Sequence, residues 1–421
     1  MQSSKRKIGV VVATSLSVTM IVGAGLLALP GLSFAKSGRY GYVSWILVAI
    51  AMLPLLEIFS FFAKRNPSAG GVVGYVRASL GTRWGTVCET IILGTFTLGV
   101  PAIALIGSQY LHQSFTGAPV TAIALATICI AFVFGVIGLR ISGVIQTGIA
   151  LFIVLGLIAI GAGFLATVAG VPQQATPHAA QETVGGILAA IPLILFAFTG
   201  WEMTAFLAED MARPERDMPL SIWVSFVIVV LLYVLIAWIV SSYGEHTAGW
   251  HLAPVTEMAR LWLGQSGARW VSVIAALLVA ANVIAAFISV SRALFSAGRD
   301  GILPAFVSRV SSRQEPVLAM ALTFVIFATV IAASHYGLVA VDVLLQLAGQ
   351  NFFVLYLLVS VGYLVLNKGH ALRRLIGLAG ILVVVGMMLL FSVTGLVYCL
   401  CLLAVGLWLG GRPARLREAP T

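Results

Sequence analysis

The sequence predicts an all-helical membrane protein that crosses the bilayer about twelve times, and three observations lead to this fold class. Hydrophobic residues make up 60% of the 421 residues and charged residues only 9%, with a mean hydropathy of +1.08. Apolar runs of the roughly 20 residues that a membrane helix needs recur along the chain. Lys and Arg are concentrated in every second loop between these apolar runs. Soluble proteins carry about 25% charged residues, so a large soluble domain is excluded, as are a disordered chain and a disulfide scaffold.

Charge-free runs define the predicted spans in chain order. One run, 90–139, is divided by the turn residues Thr116 to Pro119. The last run, 375–411, is long for one helix and short for two, and Thr394-Gly395 marks the expected break. The twelve predicted spans are 8–35, 41–63, the two halves of 90–139, 141–170, 183–207, 218–243, 271–291, 316–334, 342–366 and the two halves of 375–411.

Charge placement sets the number of spans and their orientation. With a cytoplasmic N-terminus, twelve spans put all Lys and Arg on the cytoplasmic side except Lys36, Arg39, Arg260 and Arg269. Eleven spans would place the C-terminal arginines on the outer side of the membrane. We therefore expect twelve spans, with both termini in the cytoplasm. The net charge of +10 is spread over short loops, and no nucleic-acid partner is expected.

The sequence contains no pattern typical of a cofactor, metal or catalytic site. The four cysteines and six histidines lack metal-ligand spacing, and no phosphate-binding loop is present. Only two carboxylates, Glu57 and Glu202, lie deep in predicted spans. Since an enzyme needs clustered catalytic groups at one depth, we expect neither enzymatic activity nor a cofactor.

Two predicted spans are interrupted near their middle. Gly23 and Gly25, with Pro30 one turn further on, weaken the helix of the first span. Gly200 lies beside Glu202 in the sixth span. A simple kink is the alternative interpretation of either interruption. Breaks at corresponding positions of two halves are typical of inverted-repeat transporters, whose site lies between the breaks.

The breaks predict a site for a small zwitterion. The half-helix that begins near Gly25 points its N–H groups at a carboxylate, and unwound carbonyls of 14–21 and 196–199 accept from an ammonium group. Apolar residues of spans three and eight face the breaks and favour a neutral side chain. The predicted substrate-binding residues are Ile21, Gly23, Ala24, Gly25, Val100, Ile103, Phe196, Phe198, Thr199, Gly200, Trp201 and Ala286.

Four motifs give the chain a family resemblance. They are the 23–30 break, the glycine-rich segment 67–75, the segment 198–219 and the segment 291–304. Together they resemble the amino acid–polyamine–organocation transporter superfamily. The short loops and short C-terminus are similar to its bacterial branch that exports methionine and branched-chain amino acids. The chain departs from the superfamily pattern at Arg213, where Asn is usual, and in lacking a lysine in span five.

The resemblance implies a LeuT-like fold, in which five helices are followed by an inverted repeat of five and then by two further helices. On this chain the implied units are 1–170, 183–367 and 371–411, followed by a cytoplasmic tail, 412–421. The implied function is secondary transport of small neutral, branched-chain or methionine-like amino acids across the bacterial inner membrane by alternating access, as an exporter or linked to protons. The alternatives are an importer or exchanger and, in another class, a membrane enzyme or channel.

The coupling residues are predicted from their depth in the membrane. Glu202 is the expected proton switch, with capping of the second half-helix as the alternative role. Glu57 relays protons or pairs with a neighbouring helix. Sodium is less favoured as a partner. Ser289 and Ser291 are the candidate ligands, but serines within a helix more often bond backbone carbonyls of the same helix. Asn282 is interpreted as interhelical glue, with a place in the lining of the site as the alternative.

Overall fold

The computed structural model describes residues 9–65, 71–114, 117–137, 143–168, 184–200, 211, 213–243, 248–251, 253–299, 303–311 and 315–411. Within these ranges the chain forms fourteen α-helices and four short 3-10 helices. The α-helices are α1 Val10–Ile21, α2 Ala24–Ser37, α3 Gly41–Arg65, α4 Gly71–Leu80, α5 Thr82–Ser114, α6 Val120–Ile137, α7 Gly143–Val168, α8 Val184–Ile194, α9 Pro214–Tyr243, α10 Pro254–Arg299, α11 Val317–His335, α12 Val341–Leu366, α13 Ala371–Met388 and α14 Val393–Gly410.

Ten helical stretches in the described ranges are long and apolar enough to cross a membrane by length and composition. One of them, Gly25–Arg65, joins α2 to α3. Two shorter apolar helices, α1 and α8, precede the two predicted interruptions. Each predicted span overlaps a described helix; the first overlaps the pair α1 and α2, and residues 201–207 of the sixth lie outside the described residues. The all-helical multi-pass fold is therefore confirmed, while the division into two inverted repeats stays a prediction.

The structure corrects one predicted break. The last two helices are separated at residues 389–392, not at Thr394-Gly395. The Ser392 hydroxyl accepts a hydrogen bond from the Gly395 backbone N–H at 3.1 Å, which is the geometry of a helix N-cap. Thr394 and Gly395 consequently form the first turn of α14.

The eighth predicted span is part of a longer helical stretch. α10 begins at Pro254 rather than near residue 271, and it kinks at Gly264, which has a φ of 73°. Glycine adopts this left-handed conformation without the steric cost that other residues meet. The segment before the kink is shorter and more polar than a span, so hydropathy alone does not reveal it.

Two helices, α5 and α9, make the largest contacts with the other helices of the bundle. α5 packs against α10, α12 and α14, while α9 packs against α1 and α3. Hydroxyl groups inside these helices bond their own backbone, as Ser17 does to the Ala13 carbonyl and Thr95 to the Ile91 carbonyl. Outward side chains such as Leu231 remain apolar and exposed, as expected of a surface that faces lipid.

Candidate functional site

The first break separates α1 from α2 within the first span. α1 ends at Ile21, α2 begins at Ala24, and Val22 and Gly23 both have non-helical backbone angles. The N-cap residue of α2 is Gly23, which has no side chain to cap the helix. The first N–H groups of a helix have no partner inside it, so the start of α2 presents backbone donors and the positive end of a helix dipole.

The second break follows α8. The chain tightens into a 3-10 turn, Leu195–Phe198, and then extends through Thr199 to Gly200, whose φ is 113°. The Thr199 N–H and hydroxyl both donate to the Phe196 carbonyl, which closes the turn. Trp201 and Glu202, which the sequence also placed in this site, lie outside the described residues.

Tyr233 of α9 connects the two breaks. Its hydroxyl lies 2.9 Å from the Ile21 carbonyl of the first break and 2.9 Å from the Ala197 carbonyl of the second. A phenol has one proton, so it donates to one of these carbonyls at a time. Tyr233 is fully buried, and its ring packs edge-on against Trp45 and Phe198. The unwound segments are thereby held together by one side chain.

A cavity of about 120 Å³ lies between the breaks. α5, α10 and α12 complete its walls. The described lining residues include no charged side chain, and their polar side chains are those of Thr95, Thr199, Asn282 and Ser289. The described lining residues are Ile21, Gly23, Gly25, Thr95, Phe96, Gly99, Val100, Ile103, Phe196, Ala197, Thr199, Gly200, Asn282, Ala285, Ala286, Ser289 and Phe352.

Nine of the residues predicted from the sequence line this cavity. They are Ile21, Gly23, Gly25, Val100, Ile103, Phe196, Thr199, Gly200 and Ala286. Phe198 does not line it, because its ring is buried against Trp45 and Tyr233. Successive residues of a 3-10 turn are rotated by about 120°, so Phe196 and Phe198 point in different directions. The side chain of Ala24 lies outside the described part of the structure.

Helical spacing could have found several lining residues that sequence reasoning missed. Thr95, Phe96 and Gly99 lie on the same face of α5 as Val100 and Ile103, and Ala285 and Ser289 flank Ala286 on α10. Asn282 is on that α10 face too, so it is a lining residue and not only interhelical glue. Phe352 of α12 had no such signal, because its place depends on how α12 packs against α5.

The serines of α10 bond their own helix as expected. The Ser289 hydroxyl donates to the Ala285 carbonyl at 2.9 Å, and the Ser291 hydroxyl to the Phe287 carbonyl at 2.8 Å. The Ser289 hydroxyl proton is therefore used within the helix, whereas the Ser291 hydroxyl also lies 3.0 Å from the Thr323 hydroxyl of α11.

Glu57 lies away from the cavity between the breaks. It faces a separate cleft near the C-terminal end of α3, which Lys64, Arg216 and Arg373 also line. Trp223 of α9, Lys64 and Arg373 are the neighbours that act on the Glu57 carboxylate electrostatically. The structure thus places Glu57 with partners from neighbouring helices and does not bring it to the predicted substrate site.

The geometry at the breaks can accommodate both ends of a small zwitterion. Backbone donors at the start of α2 suit a carboxylate. A carbonyl oxygen has two lone pairs, so the Ala197 carbonyl can accept beyond its bond to Tyr233, whereas the Ile21 carbonyl also accepts from the Gly23 N–H at 2.9 Å. The described wall residues carry no charge, which suits a substrate with an uncharged side chain.

Comparison with known proteins identifies similar chains. A family model described as amino acid permease matches residues 8–415. An uncharacterised amino acid permease of Bacillus subtilis is 28% identical over 82% of this chain and 81% of its own. The L-methionine/branched-chain amino acid exporter of Escherichia coli is 27% identical over 97% of both chains. A branched-chain amino acid permease of Bacillus subtilis is 25% identical over 93% of this chain and 87% of its own.

Proposed function

Because the chain belongs to the amino acid permease family, we propose that it carries small neutral amino acids with branched or thioether side chains through the cavity between its two breaks. It is a multi-pass membrane transporter, and its relatives are named as permeases and transporters rather than enzymes. The proposed mechanism is alternating access, in which the two breaks close around the substrate from either side of the membrane.

The observation that carries this proposal is that none of the described lining residues of the cavity is charged. Burying an unpaired charge is costly, so a cationic or anionic side chain would need an opposite charge that the described lining does not offer. Three rings, those of Phe96, Phe196 and Phe352, form much of the apolar wall. Burying a Leu- or Met-sized side chain against such a wall contributes about 1.5–3 kcal/mol.

Two relatives support branched-chain amino acids and methionine as the substrate class. The names of both include branched-chain amino acids, and the name of one also includes L-methionine. Export across the bacterial inner membrane, with both chain ends in the cytoplasm, is proposed from the relative named as an exporter, which aligns over 97% of both chains. Import or exchange is the alternative, because alternating access is reversible and gradients set the direction of flux.

Competition in proteoliposomes tests the substrate class. The purified full chain is loaded with leucine, and counterflow of labelled leucine is measured with a tenfold excess of each unlabelled amino acid. From the buried side-chain area we expect methionine, leucine and isoleucine to compete about tenfold or more better than glycine. Lysine, arginine and glutamate should compete no better than glycine. Protein-free liposomes are the control, and strongest competition by lysine or arginine would contradict the neutral-substrate proposal.

For coupling we propose that Glu202 exchanges a proton during the transport cycle; its depth in the predicted sixth span supports this role. The Glu202→Gln variant keeps a polar side chain that can accept a capping hydrogen bond but cannot titrate. We expect it to lose proton-driven accumulation of leucine while it retains leucine exchange at equal pH.

The measurement compares leucine accumulation with and without an imposed pH gradient in wild type and Glu202→Gln. Glu202→Ala serves as the control, because it removes both titration and capping. Gradient-dependent accumulation that persists in Glu202→Gln would assign Glu202 to capping alone.

A further inference from the structure

A second cavity lies against the first break. Its volume is about 240 Å³, and its walls come from α7, α10, Leu27 of α2 and the unwound residues Val22 and Gly23. Gly23 lines both this cavity and the one proposed for the substrate. The two cavities are therefore neighbours that share the backbone of the first break as a wall.

The chemistry of this second cavity is entirely apolar. Every described lining residue is a glycine or has a hydrocarbon side chain, so no side chain offers an oxygen to a cation or a hydrogen bond to water. An apolar cavity of about 150 Å³ stays dry and takes up a hydrocarbon ligand. A hydrocarbon is accordingly the class of occupant that fits this larger cavity.

The cavity is continuous with the outer surface of α7. Phe152 and Ala159 line it and are also exposed, and their neighbours Leu151 and Leu155 are 59% and 56% exposed. In a membrane span, exposed apolar side chains of this kind contact the acyl chains of the bilayer. The surrounding lipid is therefore a local source of hydrocarbon at the mouth of the cavity.

A glycine creates the space behind this mouth. Phe152, Gly156 and Ile160 are spaced four residues apart, so they share one face of α7 that lines the cavity. No heavy atom lies within 4 Å of the position that a Cβ at Gly156 would occupy. A side chain at this position would fill the cavity without displacing a neighbour.

We propose that this cavity binds one acyl chain of a bilayer phospholipid, which passes over Gly156 and rests against Val22 and Gly23. The bound chain supports the first break from the side opposite the substrate cavity. The proposal concerns the lipid only, so it holds or fails independently of which amino acid the protein carries.

Photolabelling tests the site in the wild-type protein. The full chain is reconstituted with a phosphatidylcholine that carries a diazirine near the end of one acyl chain, irradiated and mapped by peptide mass spectrometry. We expect adducts on Val22 and Ala275, which line the cavity and are only 5% and 3% exposed, in addition to Leu151 and Leu155. Adducts on the outward leucines without any on Val22 or Ala275 would overturn the proposal.

A substitution at Gly156 provides a second, independent test. We expect Gly156→Leu to lose the adducts on Val22 and Ala275. The matched control is Gly148→Leu on the same face of α7, where a Cβ also meets no atom within 4 Å but where the residue does not line the cavity. Labelling should persist in this control.

Labelling in a separate groove between α5, α6 and α10 shows whether each variant is folded. Ile130 and Leu277 line that groove, so their labelling should be equal in all three proteins. Adducts on Val22 and Ala275 that persist in Gly156→Leu would refute binding at Gly156. Should Gly156→Leu fail to fold, the wild-type labelling decides the question by itself.

Discussion

We expect Tyr233→Phe to lose most substrate binding while the protein still inserts and folds. The Tyr233 hydroxyl is the group that bonds the Ile21 and Ala197 carbonyls, each at 2.9 Å, and it is fully buried. Removing it takes away the one hydroxyl proton that the two carbonyls share; the Ile21 carbonyl keeps the Gly23 N–H, and the Ala197 carbonyl loses this donor. A lost partner of this kind costs about 1–3 kcal/mol.

The loss of this hydrogen bond weakens binding by changing the arrangement of the two breaks. Without the hydroxyl, the two breaks are free to separate, and the binding-competent arrangement becomes a smaller fraction of the population. Since 1.4 kcal/mol corresponds to a factor of ten, substrate affinity should fall by about 10- to 100-fold. Binding of labelled leucine to the detergent-purified protein measures this fall, alongside the melting temperature.

Tyr398→Phe is the matched control for this substitution. Its hydroxyl donates to the Gly94 carbonyl at 3.0 Å and joins α14 to α5 away from the breaks. The same atom is removed in both variants from a tyrosine that bonds a backbone carbonyl, fully buried at Tyr233 and partly buried at Tyr398, so a general effect of losing a phenol hydroxyl would appear in both. Equal leucine affinity in Tyr233→Phe and Tyr398→Phe would show that the link between the breaks does not matter for binding.

Gly25→Ala is expected to weaken leucine affinity by about tenfold, because overpacking of a well-packed contact costs about 1–3 kcal/mol. A Cβ at Gly25 would lie 3.3 Å from both the Cα and the Cβ of Ala197 and 3.5 Å from the Tyr233 hydroxyl. The sequence alone suggests another reason, that the methyl group keeps the substrate carboxylate from the backbone. The structure adds that the methyl group pushes the two breaks apart.

A double variant separates these two reasons. Ala197→Gly removes the atom that the new methyl group meets, so Gly25→Ala with Ala197→Gly should recover affinity if contact between the breaks is the cause. No recovery would favour direct exclusion of the carboxylate. Gly386→Ala on α13, where a Cβ meets no heavy atom within 4 Å, controls for the effect of an added methyl group.

The candidate site could be predicted in part because breaks are local features. Gly23 and Gly200 stand out in their spans by residue type alone, and the structure shows unwound backbone at the first and a φ of 113° at the second. Residues beside the breaks, such as Ile21 and Phe196, followed from the breaks themselves. Phe198 was placed in the site for the same reason, although its ring packs elsewhere.

Residues that reach the site from other helices were harder to predict. Tyr233 lies in the middle of a long apolar helix, where a tyrosine has no distinctive local signal, and Phe352 reaches the cavity from α12. Glu57 was notable for its depth, yet its partners Trp223 and Arg373 come from α9 and α13. Each of these roles depends on which helix lies beside which.

The sequence by itself determined that this chain is helical, that it crosses a membrane many times and where its first span is interrupted. These properties follow from each segment alone, because in lipid every helix must satisfy its own backbone and keep an apolar surface. Only the tertiary structure decided which side chains meet at the breaks. Helices in lipid are apolar on their inner and outer faces alike and associate through close packing, so the contacts of Tyr233, Phe352 and Glu57 depend on the assembled bundle.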